Sequence, residues 1–201
     1  MHDNGNTFKI IKKTIENLGY IVFDKVMNAM EYANVPQNRE RILIVCFDPL
    51  QVPNYDSFNF PEKQKLSCSI HDCIDISERN PKLYYNNRMS HWGELSREIT
   101  SKDRIYQWRR VYVRENKNSV CPTLTANMGT GGHNVPLILT DKGIRKLSPK
   151  ECLNFQGFPD KYVFPTDIPF SACYKQAGNS VVVPLIQKVC SQIYSVILKN
   201  L

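Results

Sequence analysis

The chain has 201 residues, 42% of them hydrophobic and 22% charged, and this ordinary globular composition excludes wholesale disorder. Its 26 lysines and arginines outnumber 19 acidic residues and give a net charge of +7, which suits a polyanionic partner. No uninterrupted apolar run approaches the ~18–20 residues of a membrane helix, and the polar start MHDNGNTFKIIKK lacks the apolar core of a signal peptide.

The N-terminal quarter predicts part of an α/β sheet. Apolar residues at helical spacing predict a surface helix over 7–18, and Gly19 suits the position just past its end. Strands follow at 20–23 and 41–47. The second strand is almost wholly apolar, so we expect it to be buried on both faces. Helix, strand, loop and strand make a piece of a sheet, not a whole one.

The next region predicts an irregular lobe, followed by two helices. From Asp48 to Thr140 prolines interrupt the pattern and periodicity fades. Ser148, Pro149 and Glu151 have the spacing of a capping box at a helix start. Residues 180–198 predict a last apolar helix.

Two segments are rich in arginine. Residues 35–41 run from a loop into the apolar strand, where an arginine needs a carboxylate, a phosphate or a ligand oxygen. A structural carboxylate is the simpler reading. Residues 104–117 hold five basic residues, one acid and interleaved aromatic residues, which suits phosphates and bases. The alternative is the solvated face of an amphipathic strand.

Two further segments are rich in glycine or in small polar residues. Residues 121–134 contain three glycines within four positions, beside Thr, Asn and His side chains that can contact base edges. A flexible turn is the alternative. In Gln176–Ser180, Gly178 permits a tight turn and the residues after it can cap a helix or hold a ligand carboxylate.

In this order and spacing, the segments resemble the C-terminal portion of bacterial cytosine-5 DNA methyltransferases. The seventh and eighth family motifs are similar to TFKIIKKTIENLGYIV and VPQNRERILIVCF, the ninth to RKLSPKECLNFQGFPDKY and the tenth to YKQAGNSVVVPLI. The stretch 80–140 lies where the family has its target-recognition region. The resemblance covers nearly the whole chain.

The resemblance implies an α/β fold, with a partial Rossmann-like methyltransferase sheet and a small irregular target-recognition lobe. We expect residues 1–48 to form the C-terminal edge of the catalytic lobe. Residues 49–160 would form the target-recognition lobe. Residues 161–201 would return the chain, so that the last helix packs on the catalytic lobe.

The family transfers a methyl group from S-adenosylmethionine to C5 of a cytosine flipped out of double-stranded DNA. The resemblance therefore implies this activity at a specific site, within a restriction–modification system in the cytoplasm of a bacterium or encoded by a phage. It implies that Arg41 contacts the cytosine O2, that Gln37 and Arg39 orient the pocket, and that Asn179 and Ser180 lie near the cofactor. The implied DNA-binding residues are Arg109, Arg110, Arg114, Thr123, Thr125, Asn127, Thr130, Gly131 and Gly132. The residues expected to organise the small lobe are Arg145, Glu151, Gln156 and Gly157.

The family's nucleophile is missing from these residues. The family places it in a Pro-Cys pair, but none of the twelve prolines precedes a cysteine. Cys121 precedes Pro122, the reverse order, and is rejected. Glu16-Asn17-Leu18 resembles the family's Glu-Asn-Val element only superficially, and the aromatic-x-Gly-x-Gly cofactor loop is absent.

Three hypotheses follow from this pattern. The chain is one subunit of a split methyltransferase, whose partner chain brings the nucleophile and completes the S-adenosylmethionine site. Alternatively, it is an inactive truncated fragment, or a stand-alone sequence-specific DNA-binding module. We expect no membrane partner.

The seven cysteines are scattered, as reduced thiols in the cytoplasm are. Cys68, His71 and Cys73 could supply three zinc ligands, but a fourth is not evident, so we expect no metal.

Overall fold

The computed structural model describes residues 2–130 and 134–198. Helix α1 spans Asn6–Asn17, which confirms the predicted surface helix. Strand β1 (Ile21–Asn28) pairs antiparallel with strand β2 (Glu40–Phe47), and the short helix α2 (Ala29–Tyr32) begins the connection between them.

The prediction that β2 is buried on both faces is wrong for this chain. Val45 and Phe47 are buried, but Ile42 is 43% exposed and lies opposite the exposed Val26 of β1. The sheet of β1 and β2 has only two strands among the described residues, and α1 buries no residue of its own. One apolar face of the hairpin is therefore left largely in solvent.

The target-recognition lobe is irregular, as predicted. It contains helix α3 (Trp92–Glu98) and an antiparallel sheet in the order β4-β3-β5-β6. The strands are β3 (Tyr106–Trp108), β4 (Val113–Glu115), β5 (Leu137–Thr140) and β6 (Gly143–Lys146). The remaining ordered pieces are short 3-10 turns at His2–Gly5, Tyr55–Ser57, Ile70–Cys73, Pro81–Leu83, Lys117–Ser119 and Ala126–Thr130.

Helix α4 (Pro149–Asn154) begins at the predicted capping box. The Ser148 Oγ accepts from the Glu151 backbone N–H at 3.2 Å, and the Glu151 carboxylate accepts from the Ser148 N–H at 2.6 Å. Both bonds satisfy N–H groups that a helix start leaves unpaired.

The last helix predicted over 180–198 is present, and another helix that the sequence did not predict precedes it. Helix α5 spans Phe170–Asn179 and α6 spans Val183–Leu198, because Ser180 between them is extended, at φ −75° and ψ 171°. Gly178 therefore lies inside α5 and not in a tight turn. By length and composition alone, 170–198 could cross a membrane, which is weak evidence because core helices pass the same test.

The described residues form three hydrophobic cores; the smallest packs α3 on the four-stranded sheet, and the two larger ones join distant segments of the chain. One core packs the β1–β2 hairpin against α6 and includes Phe58 from the target-recognition lobe. The other packs that lobe against α4 and α5, where the Tyr174 hydroxyl donates to the Leu147 carbonyl at 2.6 Å. Helix α5 thus packs in the core of the target-recognition lobe, and α6 packs on the hairpin.

Candidate nucleic-acid interface

The loop before β2 pairs with the segment at 121–124. The Cys121 N–H donates to the Pro36 carbonyl at 2.7 Å, and the Asn38 N–H donates to the Cys121 carbonyl at 2.8 Å. The Thr123 hydroxyl donates to the Asn38 carbonyl at 2.7 Å. These bonds hold the predicted recognition segment against the entrance to the sheet.

Gln37 connects this junction to helix α4. It is fully buried, and its Nε2 donates to the Phe155 carbonyl at 2.8 Å. Its Oε1 accepts from the Leu124 N–H at 3.4 Å. One side-chain amide thus fixes three segments of the chain.

Arg39 is buried and pairs with backbone carbonyls. Its guanidinium donates to Leu124, to Ser180 at 2.9 Å and to Gly178 at 3.3 Å. The described residues give it no carboxylate partner, so the simpler reading of a structural ion pair does not hold for Arg39. Burial, with the nearby Arg41 charge, lowers its pKa to about 10, so it stays charged at neutral pH. It joins the recognition segment to the α5–α6 turn.

Arg41 lies at the start of β2, on the same face of the strand as the buried Val45 and Phe47. It is exposed, and its Nη1 donates to the Glu40 carbonyl at 2.7 Å. Its other guanidinium nitrogens are available at the mouth of the sheet. The contact between Arg41 and cytosine stays a prediction.

Two glycines let the recognition segment lie directly on α5. A Cβ at Gly178 would overlap the backbone of Thr125 and Ala126, and a Cβ at Gly129 would overlap the Ser171 carbonyl. Gly178 is needed for this close approach and not for a turn.

A cleft of about 560 Å³ opens in front of this junction. Its lining contains three cationic residues, Arg109, Arg114 and Lys117, and the hydroxyls of Thr123 and Thr125, with no acidic residue. Such a lining favours an anion, because no carboxylate neutralises the charge. The amide residues that sequence reasoning missed are Asn38, Gln107, Asn116, Asn118 and Asn134. Gln107 lies two residues before Arg109, so the alternation of side chains along a strand predicts that both lie on the same face.

Three other predicted DNA-binding residues, Arg110, Asn127 and Thr130, are not in the cleft lining. Arg110 is on the opposite side of the β3–β4 hairpin, beside α3, and has left-handed backbone at φ 68°. The Asn127 carbonyl accepts from the Thr130 hydroxyl at 2.8 Å, within one 3-10 turn. Gly131 and Gly132 lie outside the described residues.

The predicted small-lobe residues form a buried network. Arg145 and Glu151 are fully buried and bond in two places, at 2.7 and 2.6 Å. The Gln156 side-chain amide donates to the Ala177 carbonyl, and the Gln156 backbone carbonyl accepts from the Val183 N–H at 2.9 Å. Gly157, at φ +70°, leaves room for Pro184.

Two buried cysteines, Cys121 and Cys152, do not offer an activated nucleophile. Burial raises the pKa of Cys121 and of Cys152 well above the ordinary value, so both stay neutral thiols. The rejection of Cys121 as nucleophile therefore has a physical reason.

The described residues contain no group of three or more metal-ligating side chains. His71 bonds instead to Asp103 at 2.9 Å, and Cys73 is buried in the core.

The predicted cofactor residues end helix α5. Asn179 is its last residue and is exposed, while the Ser180 hydroxyl donates to the Ala177 carbonyl at 2.7 Å. An amide and a hydroxyl at an open turn fit one edge of a polar ligand site, and they do not enclose one.

Comparisons with known proteins agree on one family. Residues 1–195 match the family model described as C-5 cytosine-specific DNA methylase. The chain is 53% identical to the type II methyltransferase M.Bsp6I of Bacillus sp. (strain RFL6), over 96% of this chain and 61% of that protein. It is 32% identical to the type II methyltransferase M.HhaI of Haemophilus parahaemolyticus, over 96% of this chain and 59% of that protein. The chain therefore spans about three fifths of these curated relatives.

The fold agrees with solved structures at low sequence identity. Spodoptera frugiperda DNMT2 superposes with a TM-score of 0.65 at 15% identity, over 96% of this chain and 63% of that one. The Dnmt2 methyltransferase of S. pombe gives 0.62 at 14% identity, over 96% and 61%.

Proposed function

Because the chain belongs to the C-5 cytosine-specific DNA methylase family, we propose that it forms the DNA-recognition lobe and one sheet edge of a methyltransferase. That enzyme transfers a methyl group to C5 of cytosine at a specific site in double-stranded DNA. It acts in the cytoplasm as part of a bacterial restriction–modification system. The cleft lined by three cations and no acid, beside the junction of Asn38 with Cys121 and Thr123, carries the proposal.

The DNA backbone enters this cleft. Arg114 and Lys117 neutralise phosphates, while the hydroxyls and amides of the lining contact sugars, phosphates or base edges. The β2 entrance is fixed to the recognition segment by Gln37 and Arg39, so bound DNA is held at a set distance from Arg41.

The cytosine leaves the duplex stack before reaction, because C5 and C6 are inaccessible inside it. Arg41 then donates to the cytosine O2 and stabilises the negative charge that develops on the ring. Arg41 is exposed in this chain, and once the bound DNA covers it the contact strengthens, since water no longer screens the guanidinium.

S-Adenosylmethionine supplies the electrophilic methyl group when bound. Asn179 and Ser180 contribute an amide and a hydroxyl to one edge of its site, and residues outside these 201 complete it.

We also propose that the nucleophile comes from a partner chain. The apolar surface formed by the open face of the hairpin and by α1, with Val26, Ile42, Ile10 and Leu18 exposed, is where that partner packs. Cytosine attack needs a cysteine thiolate, and the buried thiols of this chain are kept neutral.

Complementation tests the proposal. The chain is co-expressed with the portion of M.Bsp6I that it does not cover, and transfer of tritiated methyl groups to duplex DNA is measured. We expect transfer by the pair and by neither part alone, and Arg41→Ala should lower the rate of the pair by about 100- to 1,000-fold. A pair that binds together but transfers no methyl group would contradict the split-enzyme proposal.

All residues that line the cleft belong to this chain. This favours a second candidate function, that of a stand-alone DNA-binding module. That function requires sequence-selective, salt-dependent binding by the chain alone. A gel-shift titration in which duplexes of different sequence bind with the same affinity would exclude a sequence-specific binding module.

A further inference from the structure

We propose that Gln107 and Arg109 form a base-reading pair and that Arg109 reads a guanine in the recognised DNA site. This inference rests on the proposed function and assigns roles within the cleft. Because side chains alternate along a strand, those of the β3–β4 hairpin project to two opposite sides. Gln107, Arg109 and Arg114 line the cleft, whereas Trp108, Arg110 and Val111 lie on the other side with α3.

The hairpin that carries this pair is firmly supported from behind. Trp108 stacks on His91 with ring centroids 5.3 Å apart and an angle of 19° between the planes. The Arg109 N–H donates to the Tyr112 carbonyl at 2.8 Å and closes the hairpin turn. The cleft-facing side chains therefore project from a fixed backbone, as a specific contact requires.

Arg109 is oriented by a neutral partner. Its Nη2 donates to the Gln107 Oε1 at 3.2 Å, and within the described part of the chain its guanidinium has no other bond. A side-chain amide fixes the plane of the guanidinium and leaves its positive charge unneutralised. The remaining N–H groups of Arg109 and the Gln107 Nε2 stay available to a ligand.

The two arginines of the cleft differ in this respect. Arg114 is the cross-strand partner of Gln107, and the described residues give its guanidinium no bonding partner. An unoriented cation suits a phosphate, for which charge suffices, whereas an oriented fork of donors suits O6 and N7 of guanine in the major groove. Arg104, also in this basic segment, instead holds the fold, because it donates to the Ser119 hydroxyl at 2.7 Å.

Binding by the 201-residue chain tests the assignment. The preferred site is first selected from a pool of duplexes with a randomised central segment. Affinity is then measured for the selected duplex and for a panel that changes one base pair at a time. Wild type, Arg109→Gln, Arg109→Lys, Gln107→Ala, Arg114→Gln and the exposed, cleft-remote Arg97→Gln are compared.

We expect Arg109→Gln to lose a preference of about 10- to 100-fold for guanine at one position and to keep the preferences elsewhere. Arg109→Lys should lose it as well, because an ammonium lacks the two-donor fork. Gln107→Ala should relax the same position partly. Arg114→Gln should weaken every duplex by the same factor, and Arg97→Gln should match wild type.

The outcomes separate this inference from the proposed function. If wild type selects no sequence, the proposed recognition role and this inference both fail. If wild type selects a site but Arg109→Gln or Arg109→Lys keeps its guanine preference, the proposed function stands and the base-reading assignment is overturned.

Discussion

Among single residues, Arg39 explains most about how the site is assembled. Burying a guanidinium is costly unless its donors find partners, and here three carbonyls from two distant segments supply them. The bonding pattern fixes the recognition segment and the α5–α6 turn relative to β2. The sequence indicated that an arginine at this strand entrance needed a partner, but it could not tell a carboxylate from backbone carbonyls.

Gly178→Ala should destabilise the chain by about 1–3 kcal/mol, because the new methyl group overlaps the Thr125 backbone in a packed core. It should also weaken DNA binding by displacing the recognition segment. Gly93→Ala is the matched control, since it lies in α3 with nothing within 4 Å of the added Cβ. Urea unfolding of both variants checks this, and equal stabilities would contradict the packing argument.

Glu151→Gln should destabilise the chain by about 3–5 kcal/mol, because it leaves the buried Arg145 charge without its counter-ion. The exposed pair of Lys102 and Asp141 offers the control, and Lys102→Gln should change stability by about 0.5 kcal/mol or less. Thermal unfolding measures both. A Glu151→Gln chain as stable as wild type would show that the ion pair is dispensable.

Among elements, the hairpin of β1 and β2 shows which features of the fold the sequence could predict and which it could not. Local signals predicted α1, the capping box of α4 and both strands, because periodicity and capping depend on neighbouring residues. The burial of β2 was predicted wrongly and α5 was not predicted, since both depend on which distant segments pack there. Gln107 was missed although its signal is local, because side-chain alternation along a strand places it on the same face as Arg109.

The exposed face of the hairpin leads to a prediction about assembly. Ile42→Asp should change the stability of the isolated chain by about 0.5 kcal/mol or less, because Ile42 is 43% exposed. It should raise, by tenfold or more, the concentration of partner needed for half-maximal methyl transfer. Ile76→Asp, at an apolar residue 87% exposed in the target-recognition lobe, is the control and should leave complementation unchanged. Equal effects of the two variants would argue against this face as the docking surface.

For the whole molecule, three hydrophobic cores and one junction explain how the segments are arranged. The hairpin and α6 form a sheet edge with an open apolar face, and the β3–β4 hairpin with residues 116–125 forms most of the cleft wall. The domain boundaries that the resemblance implies stay a prediction. The cleft itself could not be read from the sequence, because its lining comes from segments spread between Met30 and Asn134.

The salt dependence of duplex DNA binding by the 201-residue chain tests the central claim most directly. We predict that affinity falls steeply with salt, and that Lys117→Gln in the cleft lowers the slope of log affinity against log salt by about one. Lys142→Gln, in the exposed β5–β6 turn outside the cleft lining, should leave the slope unchanged. A slope near zero for wild type, or the same loss of slope in both variants, would contradict the assignment of this cleft to DNA.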